Sequence, residues 1–252
     1  MLYRISLTAV VGGLMMASPA SAVLTTFASA SPINSTRDFS FAENLTGFGG
    51  TFTANEVPMT FKWLLTDGGS PIANESATFS FNASTSTQAN QISNIFEQGG
   101  IAGSFNFALV GSATINGVTY GAGTTLLHAE FTGATLLGRI GGSSGGLDDS
   151  AGPLQMTGGT ITYTSQVVSF APDASRDFSF SLTAANPLFK VVGGDLKSFS
   201  ATAGGTFSTD PLPTVNNAVP EASTWSMLLI GFGMMGGTVR ARRPKAAQAA
   251  LV

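Results

Sequence analysis

Four segments of this chain set phenylalanines two residues apart among small polar residues: Asp38-Phe39-Ser40-Phe41, Thr78-Phe79-Ser80-Phe81, Ser104-Phe105-Asn106-Phe107 and Asp177-Phe178-Ser179-Phe180. A period of two is the strand period. It puts both rings of each segment on one sheet face and the Ser, Thr or Asn on the other, whereas a helix turning about 100° per residue would part them. Each ring carries a large apolar area, so facing phenylalanine ladders supply a core. The pattern restricts the chain to an all-β fold with aromatic rings inside and short polar side chains outside.

Further strands are expected at Gly50–Thr53, Met59–Thr66, Thr124–Thr132, Thr160–Phe170 and Leu196–Ser208. Ile115-Asn116-Gly117-Val118 is a two-residue hairpin signal, because Asn-Gly accepts the positive φ of a type I′ turn. Glycine-rich stretches at Asp67-Gly68-Gly69, Gly99-Gly100, Gly141–Gly146, Gly158-Gly159 and Gly193-Gly194 punctuate the rest. About ten or more short strands at this spacing predict an antiparallel β-sandwich or jelly roll. One short helix is expected over Gln88–Gln98, with Ile92, Ile95 and Phe96 on one face. Arg37-Asp38-Phe39-Ser40-Phe41 repeats as Arg176-Asp177-Phe178-Ser179-Phe180, which reads as two equivalent strands of one fold in preference to a duplicated half-domain.

The two chain ends carry a different kind of information. Arg4 followed by the apolar run Ile5–Ala17 and the small residues Ala20-Ser21-Ala22 forms an export signal, cleaved after Ala22. At the other end Val219-Pro220-Glu221-Ala222 precedes Trp225, an apolar segment over 225–239, and Arg240, Arg242, Arg243 and Lys245. A helix over those residues would span roughly 22 Å, short for a bilayer core of about 30 Å. Basic residues after it belong on the cytoplasmic side, which leaves the body outside, as the N-terminal signal also requires. The predicted organisation is a signal peptide over 1–22, a β-sandwich body over 23–207, a linker over 208–218 containing Pro211 and Pro213, and a tail over 219–252.

The tail resembles the PEP-CTERM sorting signal, in the variant with a tryptophan core and a Gly-Phe-Gly motif. The matching residues are Pro220, Glu221, Trp225, Met227, Leu228, Gly231, Phe232, Gly233, Gly236 and the arginines Arg240, Arg242 and Arg243. Ala222 stands where that signal usually has a second proline, and Ser226 where it has alanine. The resemblance implies export from a Gram-negative cell with an exopolysaccharide system. It also implies membrane insertion, at least transient, and recognition by an exosortase, a membrane-bound transpeptidase. The second half of the body, from Leu126 to Ser208, also looks like the β-rich bodies that accompany such tails, and no assigned activity comes with that likeness. Gly231–Gly236 fits G-x-G-x-x-G, but a dinucleotide site also needs a preceding strand and a later acidic residue, and none is in place.

Residues 23–218 hold six basic and 13 acidic residues, a body charge of about −7 with no basic stripe, which argues against nucleic acid. The chain has no cysteine, so disulfides and thiol chemistry are excluded. His128, the one histidine, alternates with Leu126 and Glu130 and is expected on a solvated strand face. No G-x-S-x-G elbow accompanies it. Asp148, Asp149, Glu43, Glu56, Glu75, Glu97 and Glu130 qualify as glycosidase carboxylates by type alone, since no spacing singles out a pair. Asp148 and Asp149, in a glycine-rich loop, are a weak Ca²⁺ candidate. Trp63, Tyr120 and Tyr163 are candidate sugar platforms, with packing the commoner use.

These features predict an exported, surface-sorted, noncatalytic protein of the envelope or extracellular polysaccharide matrix, without a cofactor. Two rivals remain: a polysaccharide-active enzyme or binding module on a jelly roll, and a permanent single-pass inner-membrane protein.

Overall fold

The computed structural model describes residues 23–64, 74–149 and 159–216. The expected signal peptide and C-terminal hydrophobic helix lie outside the described residues. Among the described residues there are seventeen strands and no helix. They are β1 (Thr25–Pro32), β2 (Phe39–Glu43), β3 (Gly50–Trp63), β4 (Asn74–Thr85), β5 (Asn90–Ile92), β6 (Ile95–Leu109), β7 (Ala113–Ile115), β8 (Val118–Tyr120) and β9 (Thr125–Arg139). After these come β10 (Gly145–Asp148), β11 (Thr160–Thr164), β12 (Val168–Ser169), β13 (Ser175–Asn186), β14 (Val191–Val192), β15 (Asp195–Leu196), β16 (Phe199–Asp210) and β17 (Thr214–Val215).

One antiparallel sheet closes on itself in the order β9, β10, β13, β16, β1, β3, β4, β6 and back to β9. The expected sandwich or jelly roll is therefore corrected to a single barrel-like sheet of eight positions. The closing ladder joins β6 to β9 from Ile95↔Arg139 to Ala108↔Thr125. Three of the eight positions are filled by two segments each. β1 and β2 share the place between β3 and β16. β4 and β5 follow one another along β6, and β10 and β11 along β9.

Eight strands leave an interior just wide enough for side chains to fill, and here phenylalanine fills it. Phe39, Phe41, Phe79, Phe81, Phe105, Phe107, Phe178 and Phe180, the four pairs read from the sequence, are all buried. The Phe105 ring lies 5.2–6.5 Å from those of Phe81, Phe107, Phe131, Phe178, Phe180 and Phe207. Those rings come from β4, β6, β9, β13 and β16, a convergence that a closed wall produces. The two Arg-Asp-Phe-Ser-Phe segments fall in β2 and β13, which both pair with β16. The two strands lie on opposite sides of β16 in one sheet.

Asn116 and Gly117 have φ of 50° and 78° and join β7 to β8, as the Asn-Gly signal predicts. The expected helix over Gln88–Gln98 is instead the β5–β6 hairpin. Ile92 and Ile95 pair across its turn and are exposed, so the apparent helical face buries only Phe96. The stretch 208–218, expected as a linker, is tied down as far as Asn216. Ser208–Asp210 continue β16, β17 pairs with β12, and the Asn216 N–H donates to the Val167 carbonyl at 2.9 Å.

Candidate functional site

With the interior full, the outer wall and the barrel ends carry the chemistry. On the wall, cross-strand pairing lines up Ser40, Thr53, Asn82, Ser104, Glu130 and Thr162, one from each of β2, β3, β4, β6, β9 and β11. The next rung places Ser80, Asn106, His128 and Thr164 side by side. A bulge in β3, where Glu56 takes φ of 47°, deepens the surface beside Ser80. The result is a groove of about 470 Å³ lined by Thr53, Ala54, Asn55, Ser80, Phe81, Asn82, Ser104, Phe105 and Asn106. A second groove, about 530 Å³, adjoins it at Ser104 and is lined by Glu130, Thr132, Thr160 and Thr162. The wall backbone is already paired in the sheet. The polar groups that the grooves offer are side-chain hydroxyls and amides, uncharged except at Glu130, over a first groove whose surface is more apolar than polar.

His128 sits half-buried on this wall with Nε2 3.9 Å from the Glu130 carboxylate. Its cross-strand neighbours are Asn106 and Thr164. This arrangement lacks the hydrogen-bonded base and nucleophile that acyl transfer uses. The candidate carboxylates are dispersed. Glu43 accepts a hydrogen bond from Lys197 Nζ at 2.5 Å, which raises the lysine's pKa. Glu75 is pushed up by partial burial. Glu97 is buried in β6.

The sequence missed one carboxyl pair. β10 ends at Asp148, and the chain re-enters the same strand position at β11, with the Gly159 N–H donating to the Asp149 carbonyl at 2.8 Å. Asp149 is buried just past the end of β10. Its carboxyl group is hydrogen-bonded to that of Asp177 and accepts from the Phe178 N–H. Burial, then the Asp177 hydrogen bond and charge, push the Asp149 pKa up to about 8. β11 has no ladder to β13. Tyr163 bridges that gap, its hydroxyl donating to the Asp177 carbonyl at 2.5 Å, and burial raises the phenol's pKa. Asp149 thus faces Asp177 across the seam. Among the described residues no group of three or more His, Asp or Glu could hold a metal ion. The pairing itself is visible only in space, since Asp149, named above as a Ca²⁺ candidate beside Asp148, lies 28 residues from its partner Asp177.

Trp63 is fully buried against Phe27 and Phe61, and Tyr163 against Phe27 and Phe170. Both are core residues, not sugar platforms. Tyr120 is partly buried against the same core. The sorting residues Pro220, Glu221, Ala222, Trp225, Gly231, Phe232, Gly233, Arg240, Arg242 and Arg243 lie outside the described residues, as do Ala20 and Ala22 of the signal cleavage site.

The family comparison bears on that tail. Residues 218–243 match the PEP-CTERM protein-sorting motif. The motif marks an exported protein handled by exosortase-type processing machinery and sorted, in association with a membrane, toward the cell surface. No curated protein and no solved structure matches the chain.

Proposed function

We propose that this chain, which carries a PEP-CTERM sorting motif, is a noncatalytic protein of the cell envelope or extracellular polysaccharide matrix, and that its barrel wall contacts the polysaccharide. The observation that carries this reading is the division of side chains across the wall. Phenylalanine rings occupy the inside, which leaves no lumen for a substrate. Short, uncharged Ser, Thr and Asn side chains line the adjoining grooves outside. A hydroxyl-rich, largely neutral polymer exchanges its water for such donors and acceptors without stripping a protein charge of solvent.

The Asp149–Asp177 pair, of which Asp149 is buried and Asp177 partly exposed, does not favour the enzyme rival. Glycosidase carboxyls stand roughly 5–9.5 Å apart with the sugar between them, whereas these two are hydrogen-bonded to each other. The pair lies where β10 ends beside β13.

The test is binding of the host's own extracellular polysaccharide to the wild-type chain and to the double variant Asn82→Lys, Asn106→Lys, which fills the first groove with bulk and charge. The reading expects at least a tenfold loss of affinity with unchanged Tm. Equal binding by both proteins would remove the grooves from the account.

A further inference from the structure

Both ends of the described chain leave the barrel at the same end. Thr25, two residues after Val23, pairs with Thr209 near the close of β16. Beyond β16 the chain is held down again. Val168↔Val215 and Ser169↔Thr214 pair, and the Asn216 side-chain amide donates to the Gln166 carbonyl at 3.2 Å. Gln166 is in turn fixed against the start of β9, its side chain accepting from the Thr125 N–H at 2.6 Å. This end also carries the β7–β8 hairpin and the Gly121-Ala122-Gly123 turn, which lead from β6 into β9.

Asn216 therefore fixes where the tether begins. Trp225, which opens the apolar segment of the tail, is nine residues further on. Nine residues reach at most about 32 Å when fully extended. The barrel is of similar height. β3 has 14 residues, roughly 46 Å of strand, which a tilt of about 40° reduces to about 35 Å along the axis.

Among the described residues, the opposite end of the barrel has the stronger apolar character. Leu45, Phe48, Ile92, Ile95, Leu188 and Val192 are all exposed there. Hydrophobicity alone would lay that end on a bilayer. Tether length opposes this, because the chain would have to descend the full barrel height with no slack. A covalent limit is not traded against apolar area, so length decides.

We infer that, while the tail is membrane-inserted, the barrel stands with its β7–β8 end against the lipid surface and its apolar-rimmed end pointing away. The inference rests on the tail's role as a membrane-inserted sorting signal. The partner of the β7–β8 end is the bilayer headgroup layer, and exposed Val23, Leu24 and Val110 are the apolar side chains that meet it.

The chain has no cysteine, so one introduced thiol is a unique probe. The full chain is labelled with a fluorophore at Ala122→Cys or at Leu45→Cys and reconstituted in phosphatidylethanolamine–phosphatidylglycerol vesicles containing headgroup-nitroxide lipid. Expected is quenching at least threefold stronger at 122 than at 45. Twelve Gly/Ser residues inserted after Asn216 should abolish the difference. Equal quenching, or stronger quenching at 45, in protein that floats with the vesicles overturns the orientation alone. Protein that fails to float overturns the membrane-inserted tail, and the orientation with it.

Discussion

The carboxyl group of Asp149 is hydrogen-bonded to that of Asp177 across the seam where β11 parts from β13. Two ionised carboxylates at that separation repel, so the pair holds a proton that an exposed aspartate would have released.

A pH dependence of definite sign follows. The folded-state pKa of Asp149, about 8, lies above its ordinary 3.8. From about pH 4 to pH 8 the unfolded chain releases a proton that the folded chain keeps, so stability falls as pH rises through that window. The slope is at most about 1.4 kcal/mol per pH unit. Tm is expected to drop steadily between pH 4.5 and 8 in the wild type. Asp149→Asn should flatten the curve and raise Tm at pH 8. A wild-type Tm that rises toward pH 8 would contradict the shared proton.

Phe105 touches six other rings at the barrel centre. Phe105→Ala should cost about 3–5 kcal/mol in urea unfolding, a large part of the ~5–15 kcal/mol that holds a typical domain folded. Phe48→Ala, at an exposed ring, should cost less than about 0.5 kcal/mol.

Gly103 marks a close approach of β4 and β6. A Cβ there would lie 2.2 Å from the Asn82 carbonyl oxygen and 2.4 Å from the Ala83 Cα. Both are backbone atoms, so only parting the two strands makes room. Gly103→Ala is expected to lose about 1–3 kcal/mol. Gly121→Ala, with nothing within 4 Å of its Cβ, should be silent in the same melting assay.

The tail predictions concern address. Deleting residues 219–252 should abolish membrane association and alter the distribution between cell surface and medium, read by fractionation. Ala222→Pro restores the usual second proline of the motif and should leave or increase processing, read as loss of the C-terminal epitope. A decrease would mean that the alanine is itself required.

The strand content was legible because the Phe-x-Phe pairs obey the pleat locally. Phe79 and Phe81, or Phe178 and Phe180, need no distant information to share a face. Asn116-Gly117 was legible because the turn demands positive φ from two named residues. Closure was not. It depends on β9 pairing with both β6 and β10, and nothing in Thr125–Arg139 distinguishes a barrel strand from a sandwich strand. The β5–β6 hairpin was missed because Ile92, Ile95 and Phe96 mimic a helical stripe, while the side chain of Gln98, which donates to the Thr87 carbonyl at 3.0 Å, ties the segment to the connection that follows β4. The outer grooves and the pairing of Asp149 with Asp177 are products of register: the chain offered Asp149 as a candidate only with its neighbour Asp148, and the groove residues looked ordinary.

The measurement that bears most directly on the central claim is incubation of the exported protein with its host's extracellular polysaccharide, following bound protein and new reducing ends in the same samples. Saturable binding with no growth in reducing ends is the predicted result. Reducing ends that increase with time and protein concentration would contradict a noncatalytic role, and absence of binding would contradict the polysaccharide contact.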